Sequence, residues 1–137
     1  MNFQEFLEHS KLDSKDYQRE GVEWCIEREQ SALEQSALEQ SALEQRDEEP
    51  SQQYCAGGIV ADEMGLGKTI MMIATIVCNF KMPTLIVLPN VLLDQWKEQI
   101  YKTTGHKAIV YHGQVKKILT AKQLQYIPII LTTYGTV

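Results

Sequence analysis

Between a short apolar run, Gly58–Ala61, and an apolar helical pattern opening at Lys68, the chain reads D-E-M-G-L-G-K-T over Asp62–Thr69. Few sequence features restrict a fold as sharply. The pattern G-x-x-x-x-G-K-[ST] between a strand and a helix marks a phosphate-binding loop. Gly65 and Gly67 let the backbone curl so that successive N–H groups point at phosphate oxygens. The helix beyond adds the partial positive charge of its N-terminus. Lys68 is then expected to reach the β- and γ-phosphates and to carry the catalytic contact of this segment. The Thr69 hydroxyl is the expected Mg²⁺ ligand. Met64 and Leu66 complete the loop and would offer backbone groups to the nucleotide.

One departure from the pattern is visible: Asp62 stands at the first glycine position. Asp62 and Glu63 are not obvious phosphate ligands. Either they orient the loop or contact metal-bound water, or they serve loop geometry through hydrogen bonds to backbone amides.

The surrounding pattern predicts an α/β fold. Gly58–Ala61 reads as a buried strand and Lys68–Phe80 as a helix that must end before Pro83. Thr84–Leu88, Ala108–Tyr111 and Ile129–Thr133 read as further strands. Between them, Asn90 is expected to cap a helix with Leu92, Leu93, Trp96 and Ile100 on its core face, stopped at Gly105. Val115, Ile118, Leu119 and Leu124 mark another helical face. This alternation means a parallel sheet flanked by helices. The chain ends at Val137, directly after the last strand, so the sheet is expected to be incomplete there, with a face that a second lobe or a protein partner would cover.

Upstream, Ser14–Glu29 reads as a helix capped by Asp13 or Ser14, with Tyr17, Gly21, Trp24 and Cys25 on one face. Residues 31–45 are three perfect copies of Ser-Ala-Leu-Glu-Gln. A five-residue period advances about 500° around a helix, so the Ala-Leu pair drifts and no continuous apolar face forms. The copies are good helix formers that can extend the preceding helix. With the charged run to Pro50 they read as an inserted linker, or alternatively as a partner-binding helix. Three segments result: a helical segment over 1–30, the repeat and linker over 31–50, and a partial nucleotide-binding domain over 51–137.

Charge and cysteines narrow the function classes. The net charge of −5 comes from the N-terminal third, whereas residues 50–137 carry eight lysines against four acids. That balance permits nucleic-acid contact without arguing for it. Cys25, Cys55 and Cys78 form no C-x-x-C pair, which argues against a zinc site or disulfide framework. No apolar run is long enough to span a bilayer, and the N-terminus lacks the basic and apolar regions of a secretory signal, so an intracellular protein, nuclear or cytoplasmic, is expected.

Together these residues resemble the Swi/Snf-type ATPases of the superfamily 2 helicases. Asp62–Thr69 is similar to their motif I. Tyr17-Gln18 through Gly21-Val22 and Trp24 resembles the family's Y-Q-x-x-G-V-x-W segment. Leu85–Pro89 with Leu92–Trp96 is similar to motif Ia, and Tyr111-His112-Gly113 and Thr132-Thr133-Tyr134 follow in family order. The resemblance implies a RecA-like lobe, ATP with Mg²⁺, and Gln18 reading the adenine edge through its paired donor and acceptor. It implies double-stranded DNA as the partner, with Pro89–Trp96 and Thr132–Tyr134 on the DNA side. Lys97, Lys102, Lys116 and Lys117 would either assist there or be solvated helix lysines. His112, by contrast, reads as a turn residue. The family's D-E-A-H or D-E-G-H element and its second-lobe arginines are not found in the sequence, so the expectation is an ATP-binding part with little hydrolysis alone. The alternative is a non-catalytic nucleotide-binding or protein-interaction module.

Overall fold

The computed structural model describes residues 1–43 and 57–136, with side chains described to residue 34 in the first of these stretches. The charged run to Pro50 and Cys55 lie outside the described residues.

Three strands, β1 (Thr84–Val87), β2 (Ile109–Val110) and β3 (Ile129–Thr132), form a parallel sheet in the order β1-β3-β2. Thr84 pairs with Ile129 and Val87 with Thr132 on one side, and Ile109 with Ile130 on the other. The last strand in the chain therefore inserts between the earlier two. All four residues of β3 are buried, as a central parallel strand requires. Leu85 and Ile109, which flank Ile130 in the same row, are partly open to solvent.

Helices supply the other layer. α3 (Lys68–Cys78) is apolar through most of its length and buries Met71, Ile73, Ala74 and Val77. α4 (Leu93–Thr104) buries Leu93 and Ile100, with Trp96 packed beside them, and stops at Gly105 in the left-handed region with φ 73°. Asn90, however, does not cap α4. It opens a single 3₁₀ turn, Asn90–Leu92, and α4 begins from Leu92 with no side-chain cap. The rigid φ of Pro89 delivers the chain into that tight turn. Two short helices, α5 (Gln114–Ile118) and α6 (Ala121–Leu124), replace the one expected. The second starts afresh at Thr120, whose side chain forms a capping box with Gln123.

The N-terminal helices pack on this frame. α1 (Phe3–Ser10) was not evident from the pattern of apolar residues. Its start is an Asn2–Glu5 capping box, and Phe6 and Leu7 enter the core against α3 and α4. α2 (Asp16–Leu43) runs unbroken into the pentad repeat, as the helix-forming composition allows. Its first turn closes onto the Lys15 carbonyl, so neither Asp13 nor Ser14 is the cap. The face buried on α3 carries Gln18, Gly21 and Val22. Tyr17 and Trp24 are more than one-third exposed, because heptad-like spacing puts them at the edge of the contact.

The expected strand at Gly58–Ala61 is not a strand. Residues 57–63 run as irregular chain, with Ile59 88% exposed. The segment pairs with none of the three strands, and Val60 packs against the core without joining a ladder. A parallel strand exists only through its neighbours.

Candidate functional site

The phosphate-loop sequence lies where α2 meets the start of α3. Gly65 and Gly67 adopt φ of 86° and 79°, a region costly to any residue with a Cβ. Gly67 is the N-cap of α3 and makes no side-chain cap bond. Among the described residues no side chain caps the first-turn N–H groups of α3, which is how a helix start that takes an anion is built. Lys68 and Thr69 are the first two residues of the helix, both half-buried, while Asp62, Glu63, Met64 and Gly65 are exposed. The Met64 side chain is 95% exposed.

Lys68 folds back over the loop. Its Nζ donates to the carbonyl of Asp62 at 2.6 Å and of Glu63 at 2.8 Å. Asp62 and Glu63 thus act here through their backbone oxygens. The ammonium is held beside the helix start by neutral acceptors, which an anionic phosphate oxygen would replace with a stronger charge-assisted bond.

Gln18 reaches the loop from the opposite side. It is 8% exposed, and its amide Nε2 donates to the Leu66 carbonyl at 3.1 Å. A Cβ on Gly67 would sit 2.6 Å from that nitrogen, so the close approach depends on glycine. The loop is consequently tied down by Lys68 from within and by Gln18 from α2. The donor set (a lysine ammonium, uncapped helix amides and an adjacent threonine hydroxyl) fits a triphosphate with its magnesium. Among the described residues no cluster of His, Cys, Asp and Glu would hold a metal by itself.

A cavity of about 370 Å³ opens beside Lys68, lined by Trp24, Cys25, Arg28, Gly58, Met72 and Thr75 among others. Trp24 lies so close over Gly58 that a Cβ there would be 2.3 Å from the indole. Arg28 sits over the Trp24 ring at 5.9 Å. Burial pushes the Cys25 thiol above its ordinary range. A hydrogen bond with Thr75 opposes this, and Glu29 and Asp62 add to it.

The other candidate surface is the carboxyl edge of the sheet. Thr132 Oγ1 donates to the Tyr111 carbonyl at 2.9 Å, tying β3 to the end of β2. Tyr134 stands 71% exposed beyond it. Sequence reasoning overlooked that His112 contacts both Thr133 and Thr136 here. Its position one residue past a strand end was the available signal. Lys97 lines a groove with Tyr101 and Ile109, and Lys102 is paired with Glu98 at 2.7 Å on the exposed side of α4.

Comparison with known proteins resolves the family. The model of the SNF2-related domain matches residues 17–137. The chain belongs to the SNF2-related family. The match begins at Tyr17, so it takes in Gln18 as well as the loop and β1, β2 and β3. Among relatives of this SNF2-related chain, the ATP-dependent helicase rhp16 of Schizosaccharomyces pombe is 35% identical over 125 residues, covering 88% of the chain and 12% of that protein. The DNA repair protein rad5 of Emericella nidulans is 32% identical over 116 residues, covering 63% and 10% respectively. The solved SWI2/SNF2 ATPase core of Sulfolobus solfataricus in complex with double-stranded DNA superposes with a TM-score of 0.60 at 29% identity. That alignment covers 91% of this chain and 22% of the other. The SNF2-related chain therefore spans a small part of its relatives' length and has the fold of part of a RecA-like lobe. The Swi/Snf resemblance and the parallel α/β fold read from the sequence are borne out. Among the described residues no helix is long and apolar enough to cross a membrane.

Proposed function

We propose that this chain is the nucleotide-gripping part of an ATP-driven, helicase-like translocase of the Swi/Snf type that works on double-stranded DNA inside the cell. The observation that carries the reading is the uncapped start of α3, opening onto a loop with two left-handed glycines and with Lys68 poised on loop carbonyls. The loop backbone from Asp62 to Gly67 cradles the phosphates of ATP, Lys68 pairs with the β- and γ-phosphates, and the Thr69 hydroxyl ligates Mg²⁺. Bound magnesium neutralises charge on the triphosphate. Gln18 reads the adenine edge, and its anchorage on Leu66 holds base and phosphate recognition in register.

Within this reading, residues 1–30 carry adenine recognition, 31–50 form an inserted linker, and 51–137 supply the phosphate site and the sheet. Pro89–Trp96 and Thr132–Tyr134 face the DNA and position its phosphates without reading sequence. DNA in the structural relative's complex and the DNA-repair role named for rad5 support that assignment. The test is titration with a fluorescent ATP analogue in magnesium. Wild type should bind saturably and Lys68→Ala at least tenfold more weakly. Equal binding by both would remove nucleotide binding through this loop.

A further inference from the structure

We infer that His112 is a positioning residue that holds the Thr133–Thr136 turn, and with it the Lys116 ammonium, in place for the phosphate backbone of duplex DNA. The inference rests on the proposed reading of the carboxyl edge as a DNA surface. Nδ1 of His112 lies 3.3 Å from the hydroxyl of Thr133 and 3.3 Å from that of Thr136. The two hydroxyls are 3.1 Å apart, closing a triangle. Nδ1 carries either one proton or one lone pair, so it makes one directed bond, to Thr133 or to Thr136, and the hydroxyl–hydroxyl contact links the other threonine to it. The Thr136 amide closes the turn onto the Thr133 carbonyl at 2.9 Å.

The triangle joins two separate pieces of chain. His112 follows β2, whereas Thr133 follows β3 and is itself buried at 8% exposure. Beyond the buried anchor, Tyr134 projects into solvent at 71% exposure. Lys116, from α5, donates its Nζ to the Thr136 carbonyl at 3.4 Å. One cation and one exposed phenol are thus mounted on a turn whose hydroxyls are gripped by a single imidazole. Hydroxyl, tyrosine and lysine groups are among those that contact DNA phosphates. Without the imidazole, Thr136 loses its lateral tie, and the carbonyl that parks Lys116 moves with it.

The experiment measures affinity of the chain for a short mixed-sequence duplex as a function of salt, alongside amide exchange of Thr136 in the free chain. Variants are His112→Ala, His112→Asn, Lys116→Ala and the double His112→Ala/Lys116→Ala. Asn places a carboxamide near the Nδ1 position and should restore both readouts, which a merely space-filling role would not. The salt slope should fall by about one in His112→Ala, as in Lys116→Ala. It should fall no further in the double variant, and Thr136 exchange should quicken several-fold in His112→Ala alone. Unchanged Thr136 exchange in His112→Ala, or additive slopes in the double variant, would overturn the inference while leaving the DNA reading intact. A wild-type chain with no affinity for the duplex would overturn the DNA reading and the phosphate role together, whereas the exchange result would still report the hold of His112 on the turn.

Discussion

The side-chain amide of Gln18 on α2 donates to the carbonyl of Leu66 in the phosphate loop at 3.1 Å, across 48 residues of chain. This bond ties α2 to the proposed nucleotide site. Its donor is buried and its acceptor half-buried, so its loss removes a tie between α2 and the loop that water replaces only in part. Gln18→Ala should therefore weaken ATP-analogue binding by roughly tenfold, about 1.4 kcal/mol. Gln18→Glu should do worse, because a carboxylate oxygen would face the Leu66 carbonyl. Parallel titrations of the three proteins check the order. A Gln18→Glu variant binding as well as wild type would show that the amide nitrogen is not used.

Two glycines of the loop separate conformation from contact. Gly65 and Gly67 share a left-handed φ, but a Cβ at Gly65 meets nothing within 4 Å, whereas one at Gly67 meets the Gln18 amide at 2.6 Å. Gly65→Ala should cost about 1–2 kcal/mol for the backbone alone. Gly67→Ala adds a clash with the Gln18 tether and should cost more, measured by urea unfolding. In a Gln18→Ala background the two substitutions should become nearly equal, since the clashing nitrogen is gone.

Burial raises the thiols of both Cys25 and Cys78. At Cys78 the N-terminal amine opposes the shift and Glu5 adds to it. The sign follows from linkage. As pH rises, the unfolded chain's thiols ionise first, so the unfolded state gains stability relative to the folded one. The contribution is constant below the ordinary thiol range and is lost progressively as pH climbs through the raised folded values. Alkylation by iodoacetamide, followed by peptide mass spectrometry, should be slower at both cysteines in the folded chain than in urea. The difference should narrow with increasing pH.

Much of this architecture was legible because it is local. The G-L-G-K-T run, the apolar helix behind it and the Gly105 stop each follow from residues within a turn or two of one another. What the sequence concealed depends on distant partners. Gly58–Ala61 has the apolar character of a strand, but a strand is made by its neighbours, and it pairs with none of β1, β2 and β3. Trp24 sits on the helical face expected to be buried, yet packs at its rim, where Gly58 leaves room for the indole and Arg28 covers it. Of the site residues, Lys68 and Gln18 could be picked out by motif. Their actual partners, the carbonyls of Asp62, Glu63 and Leu66, are backbone atoms that no residue pattern distinguishes. From sequence His112 reads only as a turn residue, because its partners are two threonines at another strand's end.

The central claim is that Gly65–Thr69 holds the phosphates of ATP, and backbone amide spectra report it most directly. On titration of the ¹⁵N-labelled chain with MgATP, the account predicts saturable shifts concentrated at the amides of Gly65, Gly67, Lys68 and Thr69, and their loss in Lys68→Ala. Shifts confined to other segments, or loop shifts that persist unchanged in Lys68→Ala, would contradict it.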